Sequence, residues 1–215
     1  MRREHSIEED KLIKFLQEHN CIFYSPLSQD DTTDWISDNE MVKYANGSAV
    51  WDSNLNMWKF KYVNGQPISN MSYYVKWSLK EAIQTNTLKE FTAIVEYYPY
   101  DSATWQSVLT DSVYDFLPYN NGMSFSGITG QLNNSAHIWT TENNSTHQKF
   151  YRNGEIIYDA NYGSLQYFNY EDTVCIGNPR ENRLTHSFGL RNFAVFGAPY
   201  LTISEINEYF NIVTA

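Results

Sequence analysis

The sequence predicts an all-β chain, a sandwich or barrel with a short helix at each end. Three observations predict it. From Cys21 onward, short runs of strand-forming residues are set off by turn residues roughly every 8–12 positions, the spacing of such folds. Aromatic residues make up 16% of the 215 residues and charged residues only 19%. That balance suits pleated, half-buried surfaces and excludes a disordered chain or a charged coiled coil. Helical patterning is confined to the two ends, each opened by its own capping signature. The length allows one large domain, which buries roughly 70–75% of its unfolded surface and needs no staples.

The first element is a helix. Ser6-Ile7-Glu8-Glu9 is a capping box, in which the Ser6 hydroxyl and the Glu9 carboxylate each satisfy an early backbone N–H. Ile7, Leu12, Phe15 and Leu16 form an apolar stripe that ends before His19-Asn20. An isolated helix of about three turns is marginal in water, so it is expected to dock on the body or on a partner. Residues 1–20 are therefore read as an amino-terminal helical extension and residues 21–215 as the main domain.

Strands are predicted at Cys21–Tyr24, Met41–Tyr44, Ala49–Trp51, Met57–Val63, Tyr73–Trp77, Phe91–Tyr98, Ser107–Leu109, Ala136–Thr141, His147–Arg152, Glu155–Asp159, Thr173–Ile176 and Gly189–Phe196. In Phe91–Tyr98 the odd positions are mostly apolar, while Thr92 and Glu96 fall on the other face, a pattern of one-sided burial. Asn153-Gly154 supplies two residues that tolerate positive φ, as a type I′ hairpin turn demands. A two-residue turn then pairs Arg152 with Glu155, Tyr151 with Ile156 and Phe150 with Ile157. Asn46-Gly47 and Asn64-Gly65 suggest two further tight turns. After Gly197-Ala198-Pro199-Tyr200, a second capping box, Thr202-Ile203-Ser204-Glu205, opens a helix of one to two turns with Ile206, Tyr209 and Phe210 on its apolar face.

The net charge of −10, with no basic run beyond Arg2-Arg3, argues against nucleic acid and anionic lipid as partners. No stretch approaches the roughly 20 apolar residues of a bilayer crossing. Acids at Glu8, Glu9 and Asp10 stand where a signal peptide needs its apolar segment, so a cytoplasmic site of synthesis without a leader is expected. In that setting the Asn-x-Ser/Thr triplets at Asn46, Asn70, Asn133, Asn143 and Asn144 are by-products of an Asn-rich chain. Cys21 and Cys175 are far apart in the chain and lack the close spacing of metal ligands, so both read as buried free thiols.

Several segments, in order, resemble a laminin-G-like domain of the concanavalin-A-like jelly-roll class. Ile22-Phe23-Tyr24-Ser25-Pro26-Leu27 is similar to the opening strand of such domains, and Phe91–Tyr98 to their phenylalanine-led strand. His137-Ile138-Trp139, Tyr151-Arg152-Asn153-Gly154, Ile176-Gly177, Phe193–Phe196 and Leu201-Thr202-Ile203-Ser204-Glu205-Ile206 follow in the family's order. The resemblance covers nearly all the chain except the amino-terminal helix. It implies a two-sheet antiparallel jelly-roll sandwich with a short N-terminal helix and a short C-terminal helical turn. Similar domains occur in tailed-bacteriophage virion proteins, which implies a capsid, fibre or tail component assembled in the host cytoplasm, with protein partners or copies of itself. Fold is not function, however, so the sites have to be asked separately.

Glycoside cleavage needs two carboxyl groups flanking the scissile bond. The Glu-x-Asp-x-x-Glu spacing of jelly-roll glucanases is absent: Glu96 has Ile94 and Tyr98 as its same-face neighbours, and the adjacent Glu171 and Asp172 point to opposite faces of any strand. His137, His147 and His186 have no Gly-x-Ser-x-Gly nucleophile to serve, since Ser124-Phe125-Ser126-Gly127 only approximates one. Asp52-Ser53-Asn54-Leu55-Asn56 places Asp52, Asn54 and Asn56 like the first alternating oxygen ligands of a calcium loop, but Met57 and Val63 stand where Gly and Glu belong. The same residues suit a hairpin turn, which is the preferred reading, and no cofactor is required. Trp105, Tyr119 and Trp139 lie in or beside polar segments and are the candidate recognition aromatics. The expected function is a non-catalytic structural or binding module. A lectin-like carbohydrate-binding domain is the alternative, and a glycan hydrolase or lyase comes last.

Overall fold

The computed structural model describes residues 6–38, 40–43, 49–60, 71–74, 91–100, 109–111, 136–143, 147–161, 173–176 and 188–215. Among them run helix α1 (Ile7–Glu18), strands β1 (Cys21–Ser25), β2 (Met41–Lys43), β3 (Ala49–Asp52), β4 (Met57–Phe60), β5 (Met71–Tyr74) and β6 (Phe91–Pro99). Strands β7 (Leu109–Asp111), β8 (Ala136–Asn143), β9 (His147–Arg152), β10 (Glu155–Asn161), β11 (Thr173–Ile176) and β12 (Phe188–Phe196) follow, then helix α2 (Ile203–Val213). Among the described residues the fold is all-β and antiparallel with two helices, and each predicted strand overlaps an observed one. The Asn46-Gly47 and Asn64-Gly65 turns lie outside the described residues.

The strands make two sheets. The larger has the order β10-β9-β8-β6-β12-β4-β3, with β1 also paired to β12, and the smaller has the order β2-β5-β11-β7. Strand β12 lies beside β6 along one edge. Its other edge is divided, with Phe188–Leu190 paired to β4 and Phe193–Phe196 to β1. Between these halves the β6–β12 register shifts, and Asn192 takes the left-handed φ of 49°. A bulge inserts one unpaired residue, which bends the strand and lets its edge serve two partners. The Asn192 N–H donates to the Pro26 carbonyl at 3.0 Å.

Both capping boxes form. The Ser6 hydroxyl accepts from the Glu9 N–H while Glu9 accepts from the Ser6 N–H, and Thr202 and Glu205 repeat the arrangement. Helix α2 runs for 11 residues, longer than the one to two turns predicted. The apolar stripe of Ile206, Tyr209 and Phe210 continues into the partly buried Ile212 and Val213, and that longer stripe keeps the chain on the core.

Helices α1 and α2 pack on one face of the large sheet. Leu12, Phe15 and Leu16 of α1 and Ile206, Tyr209 and Phe210 of α2 close one core over Tyr24, Ile94, Tyr151, Ala194 and Phe196. Phe15 meets Phe196 edge-on and Tyr209 at a tilt, both at 6.0 Å between ring centres. This packing corrects the expected one-sided burial of β6: Thr92 through Tyr97 are all buried. The helices cover the side that the sequence left to solvent, and the polar residues there have partners. The Thr92 hydroxyl accepts from the Leu201 N–H at 2.9 Å. On the opposite face Phe23, Tyr97, Phe188, Phe193 and Val195 are buried, and Phe60 stacks on Phe188 at 5.2 Å.

The β9–β10 hairpin turns at Asn153 and Gly154, with φ of 49° and 89°. Arg152 pairs with Glu155 and Tyr151 with Ile156 as expected, but Phe150 pairs with Tyr158 rather than Ile157. The register shift between Ile156 and Tyr158 is a bulge, which no turn rule foresees. Cys21 is a free thiol as read from the sequence, though partly rather than fully buried, and donates to the Phe23 and Val195 carbonyls at 3.1 and 3.4 Å; the Cys175 side chain lies outside what is described. Burial raises its pKa far above the ordinary thiol value, which leaves it protonated.

Candidate functional site

The helix-covered face does not end at the helices. Cross-strand pairing extends it from Ile94 and Ala194 through the Glu96–Arg191 pair to the Tyr98–Gly189 pair, with Lys59 opposite Gly189 and Val50 opposite Lys59. Alternation puts these residues on one face. There the surface changes character: Val50 is exposed, and Asp52, Lys59, Tyr98 and Tyr100 are partly exposed.

Glu96 forms the boundary. It is buried, with one oxygen accepting from Asn192 Nδ2 at 2.6 Å and the other from Arg191 Nε at 2.5 Å. The Tyr24 hydroxyl donates to Asn192 Oδ1 at 3.3 Å, and the Tyr209 hydroxyl donates to the Asn192 carbonyl at 3.0 Å. The buried Glu96 carboxylate and the Asn192 side chain and carbonyl thus all have partners, as buried groups require. The Arg191 side chain stays 32% exposed, and its two terminal nitrogens find no acceptor among the described residues.

Beyond the knot, Tyr100 lies across the sheet. Its ring edge passes over Gly189, where an added Cβ would come within 3.2 Å of it, so only glycine fits without a shift. The Tyr98 and Tyr100 rings meet edge-on at 4.9 Å, and Lys59 Nζ sits 3.7 Å from the centre of the Tyr100 ring. The Tyr100 hydroxyl donates to Asp52 Oδ2 at 2.6 Å. Asp52 Oδ1 accepts the Asn54 and Leu55 N–H groups at 2.9 and 3.3 Å. These bonds, with that of Tyr100 first, lower the Asp52 pKa and keep it ionised. The Tyr100 pKa is raised by desolvation first, then by its bond to Asp52.

The site residues expected from sequence fall in three places. Asp52, Asn54 and Asn56 make the β3–β4 turn, with Asn56 at a φ of 54° and the Asp52 carboxylate engaged in turn bonds. No metal-holding group of three or more His, Cys, Asp or Glu occurs among the described residues. Trp139 lies on β8, paired on one side with Ile94 and on the other with Tyr151, both members of the buried core. Trp105 and Tyr119 lie outside the described residues, as do Glu171, Asp172 and His186. Sequence reasoning missed Lys59, Tyr98, Tyr100 and Arg191. The run Tyr97-Tyr98-Pro99-Tyr100-Asp101 at a strand end was the available signal, since proline there stops the ladder and leaves aromatics at the sheet margin.

Comparison with solved structures places the fold beside receptor-binding domains of botulinum neurotoxins. One similar structure describes cell entry of botulinum neurotoxin type C through two ganglioside molecules, at 14% identity and a TM-score of 0.64, over 94% of this chain and 53% of that one. A second is a receptor binding domain, at 14% identity and 0.65, over 93% and 53%. A third is the binding domain of botulinum neurotoxin DC in complex with rat synaptotagmin II, at 14% identity and 0.63, over 97% and 52%. The chain therefore spans about half the length of these structures and shares their fold at low identity. No family model and no curated protein matches the sequence.

Proposed function

We propose that the chain is a non-catalytic binding module built as a two-sheet jelly-roll sandwich. The observation that carries this reading is the fold shared with toxin receptor-binding domains across 94% of the chain. Two features support it. Glu96, the buried carboxylate of the sheet face, is committed to Arg191 and Asn192 and is a structural anchor rather than an acid or base. The half-exposed tyrosines beside it are the residue type that interfaces favour.

The partners this reading admits are proteins and glycans, engaged by the Tyr98–Tyr100 face and by Trp105, Tyr119 and Trp139. A role in a virion, with assembly in the host cytoplasm, rests on the sequence resemblance to phage laminin-G-like domains. The experiment is to display the whole chain against glycan and receptor-ectodomain arrays while assaying polysaccharide turnover. Saturable binding without turnover is the expected result. Release of sugar products, or a failure to bind anything in either array, would overturn the proposal.

A further inference from the structure

Resting on the binding-module reading, we infer that the open half of the sheet face takes a neutral pyranose sugar, seated on the exposed surface of the Tyr98–Tyr100 pair and bonded by the polar groups of Arg191, Asp52 and Asn54. The argument starts from charge. Among the described residues two cations and two carboxylates line the patch, and their charges balance: Arg191 bonds Glu96 directly, and Lys59 lies over the Tyr100 ring whose hydroxyl meets Asp52. A patch already balanced, on a chain of net charge −10, offers an anionic ligand no attraction.

What remains is a complementary set of donors and acceptors. The terminal nitrogens of Arg191 are donors held in place by a buried carboxylate, so little side-chain freedom is lost when they bind. Among the described residues Asp52 Oδ2 takes one hydrogen bond, from Tyr100, and a carboxylate oxygen has room for a second. The exposed Asn54 bonds, among the described residues, only through its backbone N–H, which leaves both amide functions for a ligand. A sugar hydroxyl both donates and accepts, and vicinal hydroxyls use both kinds of group at once. An acidic peptide or a phosphate would need donors alone and would meet the Asp52 charge.

The tyrosines supply the rest. Their rings meet edge-on at 4.9 Å, both are partly exposed, and together they offer apolar surface to the C–H groups of a pyranose. Gly189 lets Tyr100 lie low against the strand. Asn54 lies on the β3–β4 turn and Arg191 on β12, so the polar groups come from separate elements of the face.

The test titrates the full chain with cellotetraose, maltotetraose and lactose, with sialyllactose and a hyaluronan tetrasaccharide as acidic counterparts and hexaglutamate as the peptide. Binding is read by ligand-observed NMR. At least one neutral sugar is expected to bind at millimolar concentration, more tightly than any acidic probe. Arg191→Gln and Asn54→Ala should each weaken it about fivefold, the loss of one hydrogen bond. Asn54 is exposed, so its variant keeps the fold even where Arg191→Gln does not, and the distant Ile156→Ser should bind as the parent does. Preference for an acidic sugar or for hexaglutamate, or no binding by any neutral sugar, overturns the inference. Neutral-sugar binding that survives both site variants also overturns it, while leaving the binding-module reading in place.

Discussion

Phe15→Ala tests whether α1 belongs to the core or merely hangs from it. Phe15 is 3% exposed and touches His19, Phe196 and Tyr209, so it joins the helix both to α2 and to the sheet. Truncating a buried phenylalanine costs about 3–5 kcal/mol in transfer and cavity terms. Little collapse is available here, because Phe196 and Tyr209 are held by β12 and by the Tyr209 bond to Asn192. The expected loss is therefore about 4 kcal/mol. For a chain of this size that corresponds to a fall in Tm of about 8–16 °C. Urea unfolding followed by tryptophan fluorescence and by far-UV circular dichroism measures it, with Ile7→Ala as control. Ile7 is 71% exposed on the same helix and should shift stability by less than about 0.5 kcal/mol. Two results would refute the reasoning: a loss below about 1 kcal/mol, or a helix signal that melts early while the tryptophan midpoint stays put.

Other perturbations reach other parts of the argument. Glu96→Ala leaves Arg191 and Asn192 without their acceptor and should cost about 2–4 kcal/mol in urea unfolding, with Glu96→Gln milder because it keeps an acceptor. Gly154→Ala meets no neighbour within 4 Å, so its expected penalty of about 1 kcal/mol is the backbone cost of a φ of 89° alone. The backbone N–H and hydroxyl of Thr202, with a smaller contribution from His19, hold the Glu205 carboxylate below its ordinary value of 4.5. A depressed carboxylate stabilises the fold above its unfolded pKa and loses that contribution as pH falls through the folded value, so Glu205→Gln should flatten the stability profile below pH 4.5 and not above it. Calcium should leave the Tm of the parent unchanged, since turn bonds engage Asp52; a calcium-dependent rise abolished by Asp52→Asn would restore the metal-loop reading.

Local chemistry made much of the fold legible. The capping boxes at Ser6 and Thr202 and the Asn153-Gly154 turn are each decided within four residues, so their signals need no tertiary knowledge. Features that depend on distant partners were not legible. Thr92 and Glu96 look like a solvent face because a polar residue in a strand usually is one; their buried partners, Leu201 and Asn192, lie 109 and 96 residues away. The bulges at Asn192 and Ile157 follow from how whole strands must bend, and no pair rule contains that information. The candidate site was hidden for the same reason. Tyr98 on β6 with Tyr100 just past its end, Lys59 on β4 and Arg191 on β12 are far apart in sequence, and none forms a motif by itself.

The division of the sheet face follows from the bulge in β12. Without it, one straight edge would pair with a single partner, and the face would run unbroken beneath the helices. With it, β1 takes the far half of the edge and brings Tyr24 under α1 and α2, while β4 takes the near half and brings Lys59 beside Tyr100. Asn192 sits at the junction and bonds to both sides through Tyr24 and Glu96. The apolar half gains its stability from helix docking and the polar half does not depend on it. Substitutions at Lys59, Asn54 and Tyr98 can therefore alter recognition with little effect on the core, whereas those at Phe15, Ile206 and Tyr209 act on stability first. That separation makes the recognition surface open to test by mutation.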